Sequence, residues 1–173
     1  MTDKTLPRIV VTGASGFIGR NFVETYKNDF EIFAIARRSQ QEVGLQRHKN
    51  ITWFLADVAE RESIHEVMDE IIAGGGADYF IHLAAFFDFS NEPNEEYERT
   101  NVRGSKIIFE AASGLGLKRF IFASSLVVSE FPEHGDRLTE QSSLDADFPY
   151  AVTKIAGEAM AKEWSETYPC TVV

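Results

Sequence analysis

At 173 residues and 19.4 kDa, the chain has room for one compact domain with a sizeable core and not for two ordinary ones. Hydrophobic residues at 44% and charged residues at 25% exclude wholesale disorder, collagen-like repeats and a coiled coil as descriptions of the whole. Seventeen Lys and Arg against 27 Asp and Glu leave a formal charge of -10, a sign that argues against nucleic acid and anionic membrane surfaces as partners. The single cysteine, Cys170, and four scattered His predict no internal disulfide, no metal centre and a reducing, cytoplasmic setting. Met1 to Pro7 lacks a signal-peptide hydrophobic stretch, and no apolar run approaches the roughly 20 residues that span a bilayer, so a soluble protein is expected.

Taken in chain order, short apolar runs alternate with amphipathic stretches. Strands are predicted at Arg8 to Thr12, Glu31 to Ala36, Thr52 to Leu55, Tyr79 to Leu83, Arg119 to Ser124 and Thr171 to Val173. Helices are predicted at Gly16 to Lys27, Arg61 to Ile72, Asn94 to Ser113 and Tyr150 to Thr167. In the second helix Ile64, Val67, Met68, Ile71 and Ile72 recur at spacings of three and four and share one face. Near-continuous apolar strands separated by helices predict an α/β fold of Rossmann type, a doubly wound parallel sheet with helices on both faces. Gly74-Gly75-Gly76 reads as a helix stop, and Glu130 to Pro149 as a long polar loop of the kind that often carries function. The chain stops inside an apparent strand, from which a following segment is expected.

Gly13-Ala14-Ser15-Gly16-Phe17-Ile18-Gly19 follows the first strand directly and opens the first helix. Glycines there allow a tight turn and close approach of a pyrophosphate, and the helix N-terminus offers free N–H groups and partial positive charge. Gly13, Ser15, Gly16, Phe17, Ile18 and Gly19 are therefore candidate cofactor contacts. The second strand ends in Ala36-Arg37-Arg38, with no carboxylate to accept from the ribose hydroxyls of an adenosine. Guanidinium groups bind phosphate in a planar fork, so Arg37 and Arg38 favour NADP over NAD. Asp57-Val58 is placed to meet the adenine, although an Asp in that position also serves as a helix cap. Leu83, Ala84 and Ala85 supply the end of the fourth strand, where a cofactor passes close to the backbone. His82 is read as a packed strand residue and not as a catalyst.

Tyr150 and Lys154, four apart on a predicted helix, share one face. An ammonium stabilises a phenolate, and such a Tyr can exchange a proton with a substrate oxygen while a nicotinamide exchanges the hydride. By chance alone about 0.2 such pairs are expected in a chain of this composition, so the pair gains weight only from its context. Ser124-Ser125 supplies that context at the end of the fifth strand, where open α/β sheets bind ligands and a hydroxyl can stabilise charge on a substrate oxygen.

With these motifs in order, the sequence resembles the extended short-chain dehydrogenase/reductase family, the NAD-dependent epimerase/dehydratase type. The resemblance rests on Thr12-Gly13 to Gly19, Asp57-Val58, His82-Leu83-Ala84-Ala85, Thr100-Asn101-Val102-Arg103-Gly104, Phe122-Ala123-Ser124-Ser125 and Pro149-Tyr150-Ala151-Val152-Thr153-Lys154. It implies Tyr150 as acid/base, Lys154 also holding the nicotinamide ribose, Ser125 orienting the substrate and Asn101 near the cofactor. It implies, too, that residues 1–173 are a cofactor-binding domain, without the substrate-binding lobe that the family carries after the last strand. The function implied is hydride transfer in a nucleotide-sugar epimerase or dehydratase, on a small-molecule substrate. Val128-Ser129-Glu130 stands where sugar-nucleotide enzymes often carry Val-Tyr-Gly, and Ala36-Arg37 looks like the reductases of the family, so an NADPH-dependent ketone or aldehyde reductase is the alternative. A non-catalytic NAD(P)-sensing module is the alternative of another class, which would need none of Ser125, Tyr150 and Lys154. A homodimer through the helices around Asn94 to Ser113 and Tyr150 to Thr167 is also implied by the resemblance.

Overall fold

A computed structural model describes residues 5–90, 92–130, 132, 135 and 137–173. Six strands, β1 (Arg8–Thr12), β2 (Glu31–Ala36), β3 (Ile51–Leu55), β4 (Tyr79–His82), β5 (Arg119–Phe122) and β6 (Cys170–Val172), form one sheet in the order β3-β2-β1-β4-β5-β6. Every neighbouring pair is parallel, with Val10 of β1 opposite Phe33 on one side and Phe80 on the other. The helices are α1 (Phe17–Tyr26), α2 (Arg61–Ala73), α3 (Ser105–Ala112) and α4 (Pro149–Ser165). Successive strand residues point to opposite faces, and the sequence makes both faces apolar. Val10, Phe33, Ile35, Phe80, Phe120 and Phe122 join a core with Ile64, Met68 and Ile71 of α2 and Ile108 of α3. Ile9, Val11, Ile32 and Ala34 face the other way onto Val23 of α1, with Phe22, Phe30 and Tyr79 packed against them. The sheet is thus doubly wound, with helices on both faces.

Element boundaries depart from expectation by a residue or two at several ends, with β3 beginning at Ile51, α2 ending at Ala73 and α4 running from Pro149 to Ser165. β4 ends at His82 and β5 at Phe122, one and two residues before the predicted ends, where the chain leaves the ladder toward the site. β6 begins at Cys170. The helix expected as one unit over Asn94 to Ser113 changes its winding: Tyr97–Gly104 is π-helical and runs directly into α3. The Glu130 to Pro149 loop falls partly outside the described residues, among them Phe131, Glu133, His134 and Asp136, while Glu130 is tied to Asp145 and Ala146 to the Val128 carbonyl. Among the described residues, no helix is long and apolar enough to cross a membrane.

The order of the strands reverses direction at β1, whose neighbours are β2 and β4. The loops after β1 and β4 therefore leave in opposite senses and open a crevice at the strands' C-terminal ends, the place where open α/β sheets bind ligands.

Candidate functional site

The crevice between those loops has a volume of about 410 Å³. Its floor is the turn after β1, where Gly13 adopts φ +68° and any Cβ would lie 2.7 Å from the Ala84 nitrogen. Only glycine fits both that conformation and that proximity, so the turn packs directly against the backbone at the end of β4. Gly16 then caps α1 with no side-chain hydrogen bond, leaving the first N–H groups of the helix free. Ser15 and Gly16 line the crevice, while Gly19 is buried within α1 and Phe17 and Ile18 are largely exposed on its first turn, outside the lining. The end of β2 brings Arg37 and Arg38 to the rim. Arg38 donates to the Ser15 carbonyl at 2.6 Å and so ties the rim to the floor, and Arg37 lies 3.9 Å from Glu96.

Asp57 and Val58 close the far wall, with Leu83, Ala84 and Ala85 opposite. The Asp57 carboxylate accepts from Ala59 N–H at 3.0 Å and from Arg99 at 2.7 Å. Burial acts against its charge, yet these hydrogen bonds together with the Arg99 and Arg37 charges hold the carboxyl below its ordinary value. It is an anion fixed at the crevice wall, and the helix that follows starts at Arg61 with no side-chain cap from Asp57. Thr100 also lines the crevice, a residue the sequence reading left out although it stands next to Asn101 in the Thr-Asn-Val-Arg-Gly motif.

Asn101 itself is 3% exposed and fully engaged by the protein. Its Oδ1 accepts from Phe86 N–H at 2.6 Å, and its Nδ2 donates to the Phe86 carbonyl and to Thr153 Oγ1 at 3.0 Å each. Its side chain is thus spent on fixing the segment after β4 against α4, and it is absent from the crevice lining.

The acid–base candidates converge next to the crevice. Ser125, three residues past β5, and Tyr150, at the start of α4, line one pocket of about 460 Å³ with Phe87, Phe89, Val127 and Phe148. Pro149 at the first position of α4 presets the helix start that presents Tyr150. Lys154, one turn on, is 5% exposed, donates to the Ala123 carbonyl at 2.7 Å, and lies 4.9 Å from the Phe122 ring centre and 5.8 Å from that of Tyr150. Burial pushes the ammonium down to about 8, against the pull of the Glu158 carboxylate. Burial, with Tyr97 nearby, pushes the Tyr150 phenol up. In the free protein the phenol is therefore held protonated, a finding that differs from the depressed phenol that proximity to Lys154 led us to expect. The reason is that burial of the phenol, with Tyr97 nearby, acts against phenolate.

One contact had no signal in the sequence reading: Ser124 donates to Glu158, which joins the end of β5 to α4. His82 is buried between Thr12 and Ser105, at 2.6 and 3.0 Å, and burial followed by the Lys154 charge pushes it down to about 3. It is a neutral, hydrogen-bonded core residue.

The sequence model of the "NAD dependent epimerase/dehydratase family" matches residues 9–173. A uronate dehydrogenase of Pseudomonas syringae pv. tomato is 27% identical over 167 residues, covering 96% of this chain and 57% of the relative. A UDP-glucose 4-epimerase of Bacillus subtilis is 30% identical over 164 residues, covering 90% of this chain and 47% of the relative. The Bordetella bronchiseptica enzyme WbmG, solved in complex with NAD, superposes with a TM-score of 0.80 at 23% identity, over 99% of this chain and 54% of that one, a likeness of fold. The chain spans about half the length of the curated relatives it matches.

Proposed function

The chain belongs to the NAD dependent epimerase/dehydratase family, and on that footing we propose that it carries the dinucleotide site and the acid–base groups of an NAD(P)-dependent oxidoreductase or epimerase acting on a sugar or nucleotide sugar. The carrying observation is that Ser125 and Tyr150 line one pocket, with the Lys154 ammonium one turn along α4 from Tyr150. The residues fit the cofactor: Gly13, Ser15 and Gly16 line the crevice at the uncapped α1 N-terminus, which offers donors, and the β2 end offers two guanidiniums. When bound, NAD(P) supplies or accepts the hydride at the reacting carbon, and the accompanying proton is left to the protein.

Tyr150 is held protonated by its burial and so is the proton donor to a carbonyl oxygen in the reducing direction. Ser125 donates a second hydrogen bond to that oxygen and stabilises the charge that develops on it. Lys154 keeps its position through the Ala123 carbonyl and, while charged, eases the formation of phenolate in the oxidising direction. In an epimerase or dehydratase both directions are used within one turnover, and a single Tyr serves for each.

A second reading, an NADPH-dependent ketone or aldehyde reductase, is favoured by Arg37 and Arg38 at the rim, where a 2′-phosphate would meet two guanidiniums. Within either reading Tyr150→Phe removes the transferable proton and lowers turnover by about 10²-fold or more, with cofactor affinity changed less than about threefold. Turnover equal to wild type, measured as NADPH loss for a reductase or as product sugar for an epimerase, would overturn the enzyme reading in favour of the cofactor-sensing module. Net and stoichiometric NADPH loss with a ketone would exclude the epimerase.

A further inference from the structure

We propose that Glu96 is a positioning residue for the choice between NADP and NAD: its fixed carboxylate draws the Arg37 guanidinium to itself and so competes with a 2′-phosphate for it. The inference rests on the dinucleotide reading above and adds a residue that lies outside both the glycine turn and the end of β2.

Glu96 stands immediately before the π-helical stretch Tyr97–Gly104, and neighbours on that stretch hold its carboxylate. Oε1 accepts from Arg99 Nε at 2.6 Å, and Oε2 accepts from Arg99 Nη2 at 3.2 Å and from Thr100 Oγ1 at 3.0 Å. Thr100 is buried and lines the crevice. Arg99 is fixed in turn, since its Nη2 also donates to Asp57 at 2.7 Å and its Nη1 lies 3.5 Å from Glu60. The Arg99 hydrogen bond, with that of Thr100 and the Arg99 and Arg37 charges, holds the Glu96 carboxyl below its ordinary value although burial acts against it. Glu96 is thus an anion that cannot swing aside without breaking the link between this stretch and the Asp57 wall.

Arg37 is in the opposite condition. Its Nη1 lies 3.9 Å from the Glu96 carboxylate, an ion pair beyond hydrogen-bond distance, and its side chain is 57% exposed against 33% for Glu96. Of the two partners, the guanidinium is the one that can move. Arg37 lines the crevice together with Asp57, and its charge acts on both carboxylates. A 2′-phosphate that engages Arg37 therefore takes it from Glu96, and the carboxylate left behind repels the newcomer. NAD, with a ribose hydroxyl in place of that phosphate, makes no such demand. Three carboxylates, Asp57, Glu60 and Glu96, outnumber the two guanidiniums, Arg37 and Arg99, that pair with them, so the group as a whole disfavours a further anion. An ion pair this exposed changes an equilibrium by up to about fivefold, which sets the size of the effect.

The test is a nicotinamide fluorescence titration of NADPH and of NADH at low salt, on wild type, Glu96→Gln, Arg37→Ala and the double variant. Gln keeps an oxygen for Arg99 and Thr100 and removes the charge. Glu96→Gln is expected to tighten NADPH about threefold to fivefold and to leave NADH within about twofold, the second value showing that the fold and the Asp57 wall are kept. In the Arg37→Ala background the same substitution should change NADPH affinity by less than about twofold, because the guanidinium through which Glu96 acts is gone. NADPH affinity unchanged or weakened in Glu96→Gln, a change shared equally by both cofactors, or a gain that survives in the Arg37→Ala background would overturn the proposal while leaving the dinucleotide site standing. Failure of the wild-type chain to bind either cofactor would overturn the dinucleotide reading and the inference with it.

Discussion

His82 and Lys154 are the two buried basic side chains near the site, and burial lowers both, with different consequences. Folded His82 titrates near 3 against 6.5 when exposed. Between those values the unfolded chain binds more protons, so stability rises with pH across the window and is lost as pH falls below 6.5. The loss expected from this one group is about 2 kcal/mol between pH 7 and pH 5. Asp57, Asp78, Asp145, Glu42 and Glu96 are likewise held below their ordinary range but act mainly below about pH 5, so the histidine dominates this interval. Urea unfolding of wild type should show the slope, and His82→Gln, whatever its baseline stability, should abolish it. Lys154 has a counterpart in Glu158, whose carboxylate raises the ammonium that burial lowers, with Tyr150 on the same helix and neutral His82 beneath. Glu158→Gln can keep the hydrogen bond to Ser124 while removing the charge. Its expected effect is an alkaline limb of kcat/KM that moves to lower pH, restored by Glu158→Asp. A loss of kcat/KM uniform across pH would mean that the carboxylate matters only to the fold.

At the scale of elements, the site depends on how closely α4 lies on β5. Gly157, in the buried face of α4, leaves room for the Phe122 ring; a Cβ there would come within 2.3 Å of its Cζ. Gly157→Ala should therefore push α4 outward and cost about 1 to 3 kcal/mol, as overpacking of a core commonly does. Since α4 carries Tyr150 and Lys154 while β5 leads to Ser125, turnover should fall more than cofactor affinity. Thermal unfolding combined with nicotinamide fluorescence separates the two. Neither this contact nor the π-helical stretch was legible in the sequence. Tyr97–Gly104 has the composition of an ordinary helix, and its long-range contacts, Asn101 to Phe86 and Arg99 to Asp57 and Glu60, carry no sequence signal. Strands, by contrast, were readable almost to the residue, because each is a short apolar run between breakers.

The whole molecule adds a condition that local motifs do not state. A glycine turn and a strand end can be read as a cofactor site from sequence because backbone sterics impose them, but the fate of each arginine depends on what the fold brings near it. Both arginines are exposed, but Arg38 is bound to the Ser15 carbonyl, whereas the guanidinium of Arg37 lies 3.9 Å from Glu96. Arg37 is therefore the freer guanidinium for a 2′-phosphate. The chain as a whole carries -10, so an anionic cofactor approaches a repelling body and is favoured only within reach of these guanidiniums. That reach is about 10 Å at 0.1 M salt and about 3 Å at 1 M. The ratio of NADPH to NADH affinity should accordingly exceed one at low salt and shrink as salt is raised toward about 1 M. Arg37→Ala should lower the NADPH affinity about tenfold, the loss of one charge-assisted contact, and leave NADH within about twofold. Nicotinamide fluorescence titrations at the two salt levels read both effects. Equal affinities at low salt, or a loss shared by both cofactors in Arg37→Ala, would assign Arg37 to the Glu96 ion pair and leave the cofactor choice to the ribose contacts.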